Sequence, residues 1–267
     1  MRFELHCHST CSDGTEAPER VAARAAERKV EVFALTDHDT CDGSGVEVAG
    51  ARAVRGVEMS CDHEGRTVHI LAYDRGGAWD ALEERLAEVR TARINRLRVM
   101  AAKLQQRGVR IDIEALIAQA GTRAVGRPDL ARAMVASGAV TSMKEAFTRH
   151  LFDGGPVDVP QRSLRLTEAL AVGRAANAAM AVAHPHLYDN LSTQLVRTHK
   201  ADGLTGIEAY YGNYDARERG RWIAIADQLG VVCTGGSDWH GPEDGIVPPG
   251  IDLPADRSDA LLRWLEQ

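Results

Sequence analysis

No two cysteines in the chain are spaced as CxxC, and the five that occur (Cys7, Cys11, Cys41, Cys61 and Cys233) are odd in number. A disulfide framework is therefore not expected, and small, buried, reduced thiols are the natural reading. Long apolar runs are missing too. Met1-Arg2-Phe3-Glu4-Leu5 leads straight into His6-Cys7-His8 without the apolar stretch of a secretory leader, and no later segment approaches bilayer-spanning length. A cytoplasmic location with no membrane association is the expectation. Nor is basic charge in excess: 32 Lys and Arg stand against 38 Asp and Glu, giving a net charge of -6 and an isoelectric point near 5.9. That balance excludes coating of nucleic acid through bulk charge, while leaving room for a local basic patch. Internal repeats and low-complexity segments are absent. The 267 residues, 44% of them hydrophobic, suffice for one large core.

What is present is an alternation of short β-like runs with amphipathic helical stretches, the pattern of βα units and a mostly parallel sheet. Phe3 to His8 reads as a strand, Pro18 opens an Ala-rich helix, and Val32 to Thr36 reads as the next strand. Val57 to Ser60 and Thr67 to Ala72 flank Asp62-His63-Glu64-Gly65 as a hairpin. From Trp79 to about Leu151 the rhythm is replaced by a long Arg-rich helix, Leu82 to Gln106, and three shorter ones. Pro128 fits a helix's first turn there, and Ser142 with Glu145 has capping-box spacing. After Pro160 the βα rhythm returns: helix Thr167 to Ala178, strand Met180 to Ala183, strand Gly206 to Ala209, helix Asp215 to Leu229, strand Val231 to Cys233 and a terminal helix. The expectation is one α/β barrel, residues 1–77 and 152–267, with residues 78–151 as a helical insertion.

Residues of metal-ligand type recur where these strands end. His6 and His8, two apart on a strand, share a face that Cys7 does not. Asp13 follows in Ser12-Asp13-Gly14, then come His38 in Thr36-Asp37-His38-Asp39-Thr40, Glu58, His69, His184 in Val182-Ala183-His184-Pro185, and Asp238 and His240 in Gly236-Ser237-Asp238-Trp239-His240. In an α/β barrel such positions converge on one mouth. Hydrolysis of a phosphate ester needs anionic oxygens neutralised and a hydroxide at neutral pH, and clustered divalent cations supply both. One structural zinc would need four ligands; nine candidates predict two or three ions of Mn, Fe or Zn. Taken singly, neither His69 nor His184 would identify a ligand. His63 at the hairpin tip and His150 and His199 in helical stretches read as surface residues, and His186 leans the same way.

Together these motifs, with Gly56-Val57-Glu58, Val68-His69-Ile70 and Gly235-Gly236, resemble in order and spacing the PHP (polymerase and histidinol phosphatase) family, in its small stand-alone phosphoesterases, over nearly the whole chain. The resemblance implies a distorted (β/α)7 TIM-like barrel of PHP type with a helical insertion, and a trinuclear site. His6, His8, Glu58 and Asp238 would hold one metal, Asp13, His38 and His240 a second, and Glu58, His69 and His184 a third, Glu58 bridging. A metal-bridging hydroxide held by Glu58, Asp13, His38 and His240 would attack phosphorus. The implied partner is a small phosphorylated substrate such as a nucleoside 3′,5′-bisphosphate, with no obligate protein partner. A 5′ to 3′ exonuclease on short oligonucleotides is the alternative, histidinol phosphate phosphatase a weaker one, and a non-catalytic metal-binding module the weakest.

Because metals engage only the scissile phosphate, the insertion should contribute substrate contacts. Arg127, Arg93 and Arg96 are the candidates, guanidinium being a bidentate phosphate ligand, against the ordinary reading of Arg-rich helices as solvated faces. Two positions depart from the family pattern: Asp129 stands where a His is usual and Gln161 where a basic residue is common. Both changes would remove positive or proton-donating character near the substrate.

Overall fold

The computed structural model describes residues 1–121, 123–160, 163–243, 245 and 247–267; Gln161 lies outside the described residues. In chain order the elements are β1 (Arg2–Glu4), α1 (Pro18–Glu27), β2 (Val32–Phe33), β3 (Arg52–Ala53), β4 (Gly56–His63), β5 (Arg66–Tyr73), α2 (Trp79–Gln106), α3 (Ile113–Ala120), α4 (Arg127–Ala136) and α5 (Met143–Arg149). The chain then continues through β6 (Leu164–Arg165), α6 (Leu166–Ala175), β7 (Ala179–Val182), α7 (Asn190–His199), β8 (Leu204–Tyr211), α8 (Ala216–Leu229), β9 (Val232–Gly236), β10 (Ile251–Asp252) and α9 (Ala255–Glu266).

Two sheets, ordered β10-β1-β2-β3 and β6-β4-β5-β7-β8-β9, close on each other at two seams. At one, Cys7 bridges Trp239 in parallel, with His8 N donating to Trp239 O at 2.8 Å and Asp238 N to His6 O at 2.7 Å. At the other, His38 bridges Glu58 in parallel. The wall so formed runs β1, β2, β4, β5, β7, β8, β9, and β5 is antiparallel to both its neighbours. This is the distorted barrel that the resemblance implies. Its core is packed by Phe3, Leu5, Met59, Ile70, Leu71, Tyr73 and Trp222, all essentially buried, while Val21 and Ala25 of α1 pack with Phe33 in a separate cluster.

Several boundaries differ from the sequence expectation. Ladder pairing of the first strand ends at Glu4, because side chains then take the backbone donors: His6 N donates to Glu4 Oε1 and Cys7 N to Thr36 Oγ1. Helix α6 stops at Ala175, since Asn177 takes a left-handed φ of 55°. The hairpin pairs out to His63 and Arg66, so its turn is only Glu64-Gly65, both at positive φ (53° and 82°) as a twisted two-residue turn demands. His199 is buried and pairs with Asp202 at 2.9 Å rather than lying on the surface, because α7 turns its last residue inward.

Helix α2 contributes to two cores. Trp79, Leu82, Leu86 and Val89 belong to the barrel core, whereas Leu97, Met100 and Leu104 belong to a second core with Leu130, Met134 and Ala146, which also takes in Leu151, Val157 and Val159. At about 1.5 Å rise per residue, this 28-residue helix is roughly 42 Å long. Among the described residues no helix is long and apolar enough to cross a membrane.

Candidate metal centre

Not all the predicted ligands stand at strand ends. His6, His8, His38, His184, Asp238 and His240 lie just beyond the strands proper, but Glu58 is the third residue of β4, and His69 lies inside β5, opposite Ser60. The reversal of β5 explains this: the hairpin rises past the mouth, so a mid-strand residue on its inner face is level with loop residues elsewhere. Local backbone fixes the rest. His184 and Asp238 hold φ values of 27° and 57°, strain of the kind found at functional sites. A Cβ on Gly236 would meet His6 Cβ at 2.4 Å, so only glycine lets the two strands approach here.

Nine residues converge. His6 Nε2 and His8 Nε2 lie 3.4 and 3.2 Å from Glu58 Oε2 and 3.3 and 3.2 Å from Asp238 Oδ1. Glu58 turns its other oxygen, Oε1, to His69 Nδ1 at 3.0 Å and His184 Nε2 at 2.9 Å, and those two nitrogens are 3.3 Å apart. The third gathering joins Asp13, His38 and His240 with His8, whose ring stacks on that of His240 at 4.1 Å between centroids. Asp13 Oδ1 is 3.3 Å from His240 Nε2, and Asp13 Oδ2 is 3.9 Å from His38 Nε2.

These atoms fit cations. His6 Nε2, His8 Nε2, His38 Nδ1 and Glu58 Oε2 are buried without a hydrogen-bond partner. Ligands about 2.1 Å from one ion stand roughly 3.0–3.4 Å from each other, which is the spacing around Glu58. The field agrees. Burial alone would raise the Glu58 carboxyl, yet His38, His69 and His6 hold it well below the usual range. Asp13, half-buried, is held well below the usual range by His38 and His240 against the effect of burial. Burial opposes protonation of His8, but Asp238 and Glu58 push it up to about 10. A site that draws positive charge this strongly is built for it.

Sequence reasoning missed the residues that aim the ligands. Glu208, fully buried in β8, sets Oε1 2.8 Å from His6 Nδ1 and accepts from His184 N at 2.6 Å with Oε2. With His6 Nδ1 carrying the proton, its Nε2 lone pair faces the centre. Asp37 accepts from Ser9 N, Ser9 Oγ and Ser12 Oγ, fixing the loop before Asp13. Tyr211 OH donates to Asp238 Oδ2 at 3.0 Å, and Tyr188 OH accepts from His69 N at 3.0 Å. A signal existed for Glu208, a lone carboxylate in an otherwise apolar strand. His186 stays outside the ligand set and engages Tyr214 OH at 2.9 Å.

Above Asp13, His38 and His69 opens a cleft of about 860 Å³ between the hairpin and the insertion. Arg93, Arg96 and Arg127 line it, and so does Arg66 on the hairpin, which the sequence did not single out. Phe147, Leu187 and Tyr188 add apolar surface. Arg127 pairs with exposed Asp153, and Arg96 with Asp158 at 3.2 Å. Asp129 does not face this cleft. It is buried in α4 and accepts from Arg123 at 2.6 Å and Gly126 N at 2.8 Å, so the carboxylate serves the helix start and the neighbouring arginines.

A PHP domain pattern matches residues 4–95. A 3′,5′-nucleoside bisphosphate phosphatase of Chromobacterium violaceum is 34% identical over 253 residues, spanning 91% of this chain and 88% of the relative. A 5′-3′ exoribonuclease of Haemophilus influenzae is 32% identical over 253 residues, spanning 90% of each. A solved structure from Bifidobacterium adolescentis, assigned as a metal-dependent phosphoesterase, is 28% identical with a TM-score of 0.83, over 98% of this chain and 96% of that one. By full-length likeness to these relatives and by its fold, the chain belongs to the PHP family.

Proposed function

We propose that this chain, a metal-dependent phosphoesterase, removes a phosphate from a small nucleotide bearing a second phosphate, such as a nucleoside 3′,5′-bisphosphate. The observation that carries the reading is the cleft, which sets four arginines and an apolar wall directly over the ligand cluster. A second phosphate suits guanidinium, and a base suits Phe147, Leu187 and Tyr188. The bisphosphate phosphatase relative points the same way.

Two or three ions of Mn, Fe or Zn complete the site in this proposal: one at His6, His8, Glu58 and Asp238, one at Asp13, His38 and His240 beside His8, and one at Glu58, His69 and His184. Bound there, cations neutralise phosphate oxygens and make water acidic enough to attack at neutral pH. The protein holds the ligands rigid through Glu208, Asp37 and Tyr211, and the arginines orient the substrate. Residues 78–151 serve as the cap over a barrel of 1–77 and 152–267, and a cytoplasmic location belongs to the same reading.

The exonuclease alternative would want a basic track along α2. Arg85 and Arg98 instead pair with Glu88 and Glu114 in solvent, so the α2 arginines that line the cleft are Arg93 and Arg96, held in place by Asp39 and Asp158. The test is phosphate release by the Mn-loaded enzyme from nucleoside bisphosphates, nucleoside monophosphates, histidinol phosphate and 5′-phosphorylated oligonucleotides. The bisphosphate should give the highest kcat/KM; a higher value for oligonucleotide or histidinol phosphate overturns the proposal.

A further inference from the structure

Of the buried carboxylates outside the ligand set, Asp39, fully buried, and Asp129, 6% exposed, are the two that pair with arginines of residues 78–151. Each gathers arginines from the cap, and each sits beside a loop that supplies a ligand of the Asp13 group. Asp39 Oδ2 receives Arg93 Nη2 at 2.6 Å, its backbone oxygen receives Arg90 at 2.9 Å, and it follows His38 directly in sequence. Asp129 receives Arg123 Nη1 at 2.6 Å and Arg132 Nη1 at 3.3 Å. Those same arginines then reach across to the barrel: Arg123 Nη1 donates to Ser12 O at 2.9 Å, and Arg132 Nη2 donates to Asp13 O. Ala124 N adds a bond to Cys11 O at 3.0 Å. The barrel loops carrying Asp13 and His38 are thus gripped from the cap, each through a buried ion-pair hub.

We infer that Asp129 is a positioning residue for the Asp13 group, and that cation binding at that group and seating of the cap segment 123–136 are linked. Backbone oxygens of Ser12 and Asp13 cannot be displaced without moving the Asp13 carboxylate, because residue 13 is fixed from the cap side by its own carbonyl. Removing the charge of Asp129 releases two guanidiniums from one acceptor, so both loop contacts loosen together. Linkage is reciprocal: whatever the hub gives to cation affinity, the cation returns to the order of the hub. The inference rests on the reading above that Asp13, His38, His240 and His8 hold a cation.

The experiment uses the full chain, stripped with chelator and titrated with Mn²⁺ alone, following bound equivalents and amide hydrogen exchange across 123–136. Asp129→Asn is expected to shift one equivalent to roughly 10–100-fold higher free Mn²⁺, the usual effect of losing an outer partner of a ligand, while Asp129→Glu restores part of the affinity. In the unaltered chain Mn²⁺ should slow exchange across 123–136. Asp13→Ala serves as the separating control. If it binds Mn²⁺ as the unaltered chain does, the reading of that group as a cation site fails. If Asp13→Ala loses an equivalent but Asp129→Asn titrates normally, the positioning role alone is overturned. Exchange across 123–136 that Mn²⁺ leaves unchanged overturns the linkage, and this readout needs no variant to fold.

Discussion

Glu208 and His6 meet at 2.8 Å with both side chains fully buried, and the second oxygen of the same carboxylate caps the backbone N–H of His184. One residue thereby sets the ring of one ligand and the strained backbone of another. Glu208→Gln keeps the volume but has a single acceptor oxygen for two donors. Metal retention against a chelator series should weaken by about 10–100-fold, with secondary structure preserved. Retention equal to the unaltered chain would remove Glu208 from the site.

Glu58 presents different oxygens to the two halves of the centre, Oε2 to His6, His8 and His38, and Oε1 to His69 and His184. Glu58→Gln replaces one of those oxygens with a nitrogen that cannot ligate, whereas His69→Ala removes one ligand from one group. More metal and more kcat should be lost in Glu58→Gln, as read by elemental analysis and initial rates. Equal loss of metal in the two variants would end the bridging assignment.

Arg127 is held by Asp153, whose side chain is 84% exposed, and such an exposed pair contributes under about 1 kcal/mol. In the proposed function, substrate phosphate therefore competes with a weak partner. Arg127→Ala should raise KM about tenfold with kcat little changed, the mark of a contact equal in ground and transition states. Asp153→Asn should lower KM a few-fold. An unaltered KM in Arg127→Ala returns that arginine to the solvated face.

Glu4 is fully buried at the base of the site, and burial pushes its carboxyl from 4.5 up to about 7 although Ser237, Gly250 and His6 backbone N–H groups oppose the rise. The folded value lies above the unfolded one. Its contribution to stability is thus complete below pH 4.5 and is lost as pH climbs through about 7, on the order of 3 kcal/mol at full effect. Urea unfolding at pH 5 and pH 8 should show a larger fall for the unaltered chain than for Glu4→Gln. Parallel falls would mean that Glu4 does not titrate in this window.

The ligand cluster was legible because its members punctuate apolar strands at the one place where a barrel's strand ends converge, and hairpin residues Glu58 and His69 were visible through alternation. Their exact level was not, since the reversal of β5 is a pairing choice that periodicity does not encode. Glu208 and Asp37 were overlooked because their function lies in what they touch, 202 and 28 residues away for His6 and Ser9. The contacts of Asp129 with Arg123 and Arg132 are likewise brought about only by folding.

Helix α2 carries no glycine or proline between Trp79 and Gln106, and its two halves are embedded in different cores. A rod fixed at both ends behaves as a caliper. The cap can slacken locally around α4, but it cannot swing away as a body without breaking the helix, so the gap between hairpin and cap is preset. In the proposed function, selection among phosphate esters then falls to a fixed aperture rather than to a closing jaw.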